Sequence, residues 1–558
     1  MPGAARAAAY SGFGYRFNLG RGPAGGNLTA AAYRTPAATA IGGETARMTT
    51  RRDLAALAAA ASGLLAPGVA RAQPLTGTPT PPALRYTTPM PPGIASPATV
   101  ETRFGRLNFF DGVPDGASTQ AIYDNLDYQR AVQAYLLALP AVNQAANLAA
   151  IRSVGPLNTT VPIWEQRVDS RTVELTANDN TPYTWFWVDL RGGPLVVEVP
   201  PRVLGLINDM FYSWVADVGI TGADRGRGGK YLLLPPGYRG SVPQGYTVIR
   251  PKTFHNWFAW RSFPVNGDFR PGVDAVKRYT KIYPLARAAN PPRLTFVDMS
   301  ARPFNMVGPA DFRFWEMLND VVQAEPSEGS DPITLGFFAS IGIQKGKPFQ
   351  PDARMRAILT EAAAAGDATA RTLAYRARDP QARIFPDRRW RYAFQGGYQF
   401  AWQPGVTNLD ARAFFFFLAT GVTPAMDTRV VGEGSTYPWT AEDSRGNAFD
   451  GARTYRLRLP GPVPVKTFWS AIVYDTQTRS MLQTDNRFPS VGSQNPDVQR
   501  NPDGSVDVWF GPTAPAGRES NWVQTLPGKS WFMILRLYGP LQPWFDQTWK
   551  PGDIELQG

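Results

Sequence analysis

From Val161 onward the chain falls into short apolar and aromatic runs, each closed by proline, glycine or asparagine, and few architectures besides stacked β-sheets accommodate that rhythm. Strand-like runs are predicted over Tyr183–Leu190, Leu195–Val199, Phe211–Val218, Lys230–Leu234, Tyr246–Arg250 and Trp257–Phe263. A second series is predicted over Thr454–Leu459, Lys466–Tyr474, Val506–Phe510 and Trp531–Leu537. Aromatic and β-branched side chains suit a pleated, half-buried surface. Helical periods interrupt the strands. Ser118 or Thr119 can cap a helix with Ile122, Leu126, Val132, Leu136 and Leu139 near one face until Pro140 ends it, and Gln144–Arg152 reads as a second helix. Between Pro303 and Arg378 the pattern turns helical again, with Phe312, Trp315 and Val322 inward and an alanine-rich stretch opened by Asp352. The expectation is a mainly β fold with α segments: two antiparallel β-sandwich or jelly-roll-like domains at 101–300 and 385–558, with a helical insert at 301–384 between them.

Only burial can hold such domains together, because the chain has no cysteine and so no disulfide. Its 16 Trp, 21 Tyr and 31 Phe supply the apolar area. The same composition removes chemistry. A cysteine nucleophile is impossible, zinc sites built on two or more His or Cys are excluded, and a Ser-His-acid triad can run only through His255, the single histidine. His255 lies in an aromatic strand, where a hydrogen-bonded core residue and a catalytic base are both open readings. No phosphate-binding loop or nucleophile elbow occurs, so no cofactor is expected. A metal would need oxygen ligands, as calcium or magnesium does.

Ahead of the β regions, Met48-Thr-Thr-Arg51-Arg52-Asp53-Leu54 leads into an alanine-rich apolar stretch and then Ala70-Arg71-Ala72. Charged start, apolar run and small-residue cleavage site in that order read as a twin-arginine export signal over 48–72, cleaved after Ala72. Residues 1–47, rich in Gly and Ala, read as an upstream extension outside the fold, and residues 73–100 as a Pro/Thr-rich tether. The expected location is periplasmic or secreted. Eight arginines against Glu44 and Asp53 give the leader +6 of the formal +12, leaving 12 − 6 = +6 for the rest. That mild basicity argues against a nucleic-acid partner. No stretch after residue 72 is a continuous apolar run of membrane-spanning length.

The two β regions share a succession of features. Leu195-Val-Val-Glu-Val-Pro-Pro, an aromatic strand, Gly229-Lys-Tyr-Leu-Leu-Leu-Pro-Pro-Gly and Trp257-Phe-Ala-Trp-Arg in the first are followed in like order by Tyr455-Arg-Leu-Arg-Leu-Pro-Gly, Phe468-Trp-Ser-Ala-Ile-Val-Tyr, Val506-Asp-Val-Trp-Phe-Gly-Pro and Trp531-Phe-Met-Ile-Leu-Arg. Related modules with a ligand crevice between them explain this, and so does the punctuation common to β domains. Ala177-Asn-Asp-Asn-Thr-Pro-Tyr183 with Gly193-Pro-Leu-Val-Val-Glu-Val-Pro resembles the bacterial domain of unknown function 1254. Phe449-Asp-Gly-Ala-Arg-Thr-Tyr-Arg-Leu, Tyr474-Asp-Thr-Gln-Thr-Arg-Ser-Met-Leu and Arg536-Leu-Tyr-Gly-Pro are similar to the domain of unknown function 1214. The resemblance implies two β-rich domains around a helical segment and no settled activity. The stretch from Glu433 to Glu442 departs from the family pattern, which points to a different ligand wall there.

Candidate chemistry gathers at three places. Asn178 and Asp179 precede the Pro182-Tyr183 step, where short polar side chains either bond their own backbone or form a polar floor or oxygen-rich cation site. Tyr474, Asp475 and Arg479 lie where an aromatic strand ends, and the Arg479 fork suits a carboxylate or phosphate unless an aspartate such as Asp475 occupies it. Arg536 interrupts an apolar strand and must meet an acid or a pocket. A glycine-rich basic loop, Gly222–Gly229, is either an anion cradle or a hairpin connection. The arginines at 383, 388, 389 and 391 read as a solvated face. These features point to a protein that binds a small polar or anionic organic ligand through Asn178, Tyr183, Tyr474, Arg479 and Arg536. The alternatives are a hydrolase using Asp179 or Asp475 as general base, with or without an oxygen-ligated metal, and an envelope or assembly protein. A homo-oligomer is compatible with each.

Overall fold

Strand alternation dictates the layering. The computed structural model describes residues 85–558 apart from Met90 and Asn266, so the expected export signal at 48–72, the expected upstream extension at 1–47 and residues 73–84 of the expected tether lie outside the described residues. The described residues belong to one compact unit. In His255–Arg261, Phe258 and Trp260 enter one core while Trp257 and Ala259 enter another, as successive side chains on a strand must. That strand is internal to a six-stranded sheet ordered Thr295–Asp298, Thr160–Ile163, Tyr183–Asp189, His255–Arg261, Leu204–Asp209, Trp214–Gly219. A four-stranded sheet, Thr247–Ile249, Gly229–Leu233, Leu195–Val199, Lys281–Pro284, shares its first core through Val197 and Tyr231.

The second β region repeats the scheme. Trp531–Pro540 and Val465–Asp475 pair antiparallel at the centre of one sheet, flanked by Ser435–Thr436 and Ser490–Gly492, and Tyr455–Leu459 and Val506–Gly511 form the centre of another. Trp531, Met533, Leu535 and Leu537 join Leu457 and Val508 in the core between them. Phe532 and Ile534 face the opposite way, into a core they share with Trp185, Trp187 and Trp257 of the first region.

Helices fill this shared middle layer: Gly116–Val154, Arg313–Ala324, Pro332–Ser340, Ala353–Tyr375 and Leu409–Leu418. Burying each large side chain contributes roughly 1.5–3 kcal/mol, which is how a chain without disulfides assembles so many layers. Gly366 permits one close crossing: a Cβ there would lie 2.5 Å from the Tyr135 ring.

Several expectations change. Helix and strand each account for 26% of the structure, so the fold is mixed α and β with several sheets. Pro140 does not end its helix, and Asp115, not Ser118 or Thr119, caps it by accepting from Ser118 N. Pro140 removes one backbone donor, but Ala138, Leu139, Ala141 and Val142 are all buried around it, and their packing carries the helix on to Val154. This 39-residue helix is long and apolar enough to cross a membrane, yet 67% of its most apolar window is buried inside the protein. The pairing is also not wholly antiparallel. Thr247–Ile249 runs parallel to Gly229–Leu233, and Thr295–Asp298 parallel to Thr160–Ile163; the loop at 234–246 is long enough for the return crossover that parallel strands need. The strand Leu204–Asp209 and the helix Leu409–Leu418 escaped the sequence reading.

Candidate functional site

Period-two alternation brings charge to the place where the two β regions meet. Arg261 falls on the Trp257–Ala259 side of its strand and lies opposite Tyr183 in register. Arg536 and Tyr538 fall on the Phe532–Ile534 side of theirs, opposite Ser470 and Phe468. Both arginines are buried, at 7% and 6% exposure. The Arg261 guanidinium lies 5.3 Å from the Tyr183 ring centre and 5.9 Å from that of Tyr538, and its Nη1 reaches the Tyr538 hydroxyl only at 3.5 Å. The Arg536 guanidinium lies 5.3 Å from the Tyr437 ring. Its Nη2 donates to Thr176 O at 2.6 Å and to the Tyr474 hydroxyl at 2.9 Å, while its Nε is buried with no partner among the described residues.

Neither guanidinium forms an ion pair with a carboxylate among the described residues. Instead, Arg261 feels the positive charge of Arg536, both have Tyr183, Tyr437 and Tyr538 for neighbours, and Arg536 has Tyr474 as well. Burial pushes the Tyr538 phenol up to about 12 against the pull of both arginines, and burial raises Tyr474 likewise. These two phenols therefore stay neutral near pH 7 and do not cancel the charges. Arginine cannot escape by losing its proton, and an ion withdrawn from water without a counter-ion costs several kcal/mol.

The Asn178–Asn180 turn closes the cluster by docking one β region on the other. Asn178 Nδ2 donates to the Tyr538 hydroxyl at 2.7 Å, and its Oδ1 accepts Asn180 N at 2.9 Å. The Asn180 side chain accepts from Ser470 Oγ at 2.7 Å. Asp179 is fully buried: its Oδ2 accepts from Ser490 Oγ at 2.5 Å and pairs with Arg167 at 3.2 Å, and its Oδ1 has no partner among the described residues. The Tyr474 hydroxyl donates to Ala177 O at 2.8 Å while accepting from Arg536.

Of the residues singled out from sequence, Asn178, Asp179, Tyr183, Tyr474 and Arg536 thus share one interface. Arg479 does not join them. Its guanidinium lies 4.5 Å from the Phe417 ring and donates to the carbonyls of Phe417 and Gln477, with burial lowering its pKa. Asp475 closes the turn before Arg479, accepting Gln477 N at 2.7 Å and pairing with Lys529. The Gly222–Gly229 loop has its own anion already, because Asp224 accepts from Gly219 N, Gly228 N and the Tyr231 hydroxyl. Arg391 is not on a solvated face: it is 4% exposed and pairs with Glu442 at 3.0 Å. His255 is buried between Glu325, at 2.6 Å, and Asp189, at 3.6 Å. Among the described residues no group of three or more His, Cys, Asp or Glu converges as a metal site.

A cavity of about 610 Å³ opens beside the cluster, walled by Phe394, Trp402, Asp427, Arg429, Tyr437 and Trp544 among others. Ser435 to Pro438, within the stretch that departs from the family pattern, form part of that wall.

Comparison with known families places both halves of this interface. Residues 158–284 match the protein of unknown function DUF1254, and residues 434–542 match the protein of unknown function DUF1214. The chain carries a DUF1254 match followed in tandem by a DUF1214 match. Each matched segment contributes one of the two arginines, Arg261 from the DUF1254 segment and Arg536 from the DUF1214 segment. Among solved structures, the VPA0106 protein of Vibrio parahaemolyticus is similar at 19% identity and a TM-score of 0.48, over 77% of this chain and 100% of that one. A putative uncharacterized protein of Burkholderia cenocepacia is similar at 13% identity and a TM-score of 0.32, over 79% of this chain and 97% of that one. No curated protein matches the tandem. Sequence reading missed Arg261, Tyr437 and Tyr538. The signal for Arg261 was present, since it closes an aromatic strand as Arg536 interrupts an apolar one, but the tyrosines carry no local mark that sets them apart from core residues.

Proposed function

We propose that the tandem binds a small organic anion between two β sandwiches, with Arg261 and Arg536 as the charged contacts and tyrosines around them. The single observation behind this reading is that two buried guanidiniums lie within reach of each other's charge with no carboxylate among the described residues to balance them. A carboxylate or phosphate would offset the burial cost, and the planar arginine fork suits either. The paired sheets of each β region, each closing on its own core, support the sandwich reading. The twin-arginine segment supports a site of action outside the cytoplasm.

Thermal unfolding of the whole chain in acetate, benzoate, phosphate and sulfate tests the reading. An anion at about 100 times its dissociation constant adds about 2.7 kcal/mol, and Arg261→Gln and Arg536→Gln abolish the shift while keeping the fold by circular dichroism. No stabilisation by any of the four refutes it. Turnover of a bound ester that disappears in Asp179→Asn, whose wild-type carboxylate has one oxygen without a partner among the described residues, would move the reading to a hydrolase.

A further inference from the structure

We infer that the 610 Å³ cavity is the second half of the same site, so that the ligand is an aromatic carboxylate whose ring lies in the cavity and whose charged head passes Tyr437 to reach Arg536. The inference rests on the anion reading of Arg261 and Arg536. Tyr437 connects the two places: it is a wall of the cavity, and its ring is also the one stacked on the Arg536 guanidinium. It is half-buried, so one side of it faces open space.

The cavity cannot serve as a second anion site on its own terms. Its charged lining is Asp379, Asp427 and Arg429, two acids against one base, and Asp427 Oδ2 accepts Tyr398 N at 3.2 Å. A carboxylate is repelled there and drawn past Tyr437 to the guanidiniums. What the walls do offer is aromatic surface from Phe394, Trp402, Tyr437 and Trp544, against which an aromatic ring packs offset or edge-on. The volume falls within the range of small-molecule sites, roughly 300–1,000 Å³. An acid with a ring on a short flexible tether fits both halves, whereas acetate fills only the inner one.

The test is titration calorimetry of the whole chain with acetate and with 4-phenylbutanoate. The expected result is that 4-phenylbutanoate binds at least tenfold more tightly than acetate, and that Arg536→Gln abolishes both. Trp402→Ala, at a site 54% exposed and therefore safe for folding, should remove most of the tenfold advantage and leave acetate unchanged. Tyr437→Ala should speed 4-phenylbutanoate association at least fivefold by stopped-flow fluorescence, because the ring no longer stands in the passage. Equal affinities for the two acids, or an advantage that survives Trp402→Ala, overturns the inference while the arginine site stands; an unchanged association rate in Tyr437→Ala overturns the passage. If neither acid binds and phosphate and sulfate also fail, the anion reading falls and takes this inference with it.

Discussion

Glu174 offers a test of how the shared core treats charge. Its side chain is 2% exposed, with Oε2 accepting from Asn147 Nδ2 at 3.0 Å and Oε1 from Leu175 N at 3.1 Å, and no cation pairs with it among the described residues. Burial pushes its pKa from 4.5 up to about 8, a gap of about 3.5 (8 − 4.5), against the opposing hydrogen bonds of Asn147, Leu175 and Thr420. Between those two values the folded chain holds a proton that the unfolded chain has lost, so stability falls as pH rises through the window. Each pH unit there costs up to about 1.4 kcal/mol, and from pH 5 to pH 8 the loss sums to about 3 kcal/mol. Glu174→Gln carries no such proton. Urea unfolding of both proteins at pH 5, 6, 7 and 8 should give a wild-type curve that falls relative to the variant by about 3 kcal/mol. Other titrating groups, such as Asp209, which burial pushes up to about 6, are common to both proteins and drop out of the difference. Any constant offset from the new amide leaves the slope intact. Parallel curves would mean that Glu174 is ionised in the fold, and the account of the middle layer would be wrong.

Arg261→Met in a buffer free of organic anions should raise stability by about 1–4 kcal/mol, because a buried charge without an ion-pair partner among the described residues gives way to packing and the hydrogen bond lost among them is the 3.5 Å contact to Tyr538; a clear fall in the urea midpoint refutes this. The single histidine makes His255 readable by NMR of an imidazole-labelled chain. Burial alone would lower its pKa, but hydrogen bonds to Asp189 and Glu325 raise it above 6.5, so the stability it contributes is complete below 6.5 and lost as pH rises through the raised value; a midpoint at or below 6.5 contradicts the geometry. If the export reading holds, mass spectrometry of chain recovered outside the cytoplasm should find Gln73 at its N-terminus, and a chain that retains Arg51 and Arg52 there refutes the signal reading.

How much of this was legible depends on whether the information is local. Most strands were, since Leu195–Val199 announces itself as a short β-branched apolar run and Tyr455–Leu459 by alternation, and each ends at a proline. The Asp352 cap was legible because its signal lies within one turn: Asp352 accepts Met355 N at 2.7 Å. Pro140 misled because its local cost is outweighed by packing from distant residues such as Phe314 and Trp315 around Tyr135. Leu409–Leu418 was missed because from Ala413 to Leu418 the helix is apolar and buried all round and loses the polar face that a periodic reading needs. The position of Arg479 was equally hidden, because no local rule says which way a turn residue with φ of 59° aims its side chain.

The candidate site follows the same division. Arg536 could be flagged because a charge in an apolar strand is a conflict between local pattern and chemistry, and such conflicts mark places where something other than stability is served. Its resolution lay 275 residues earlier, in Arg261, which carries the same conflict in the other β region. Had either arginine met a carboxylate, as Arg391 meets Glu442, the conflict would be settled inside the protein and would say nothing about a ligand. Instead the Asn178–Asn180 turn and Tyr474 spend their polar atoms on fastening the two β regions together, which leaves the guanidiniums held in place but unbalanced. Such an arrangement adds nothing to the stability of the fold, whereas on the proposed reading an anion bound between the regions would meet two preorganised forks.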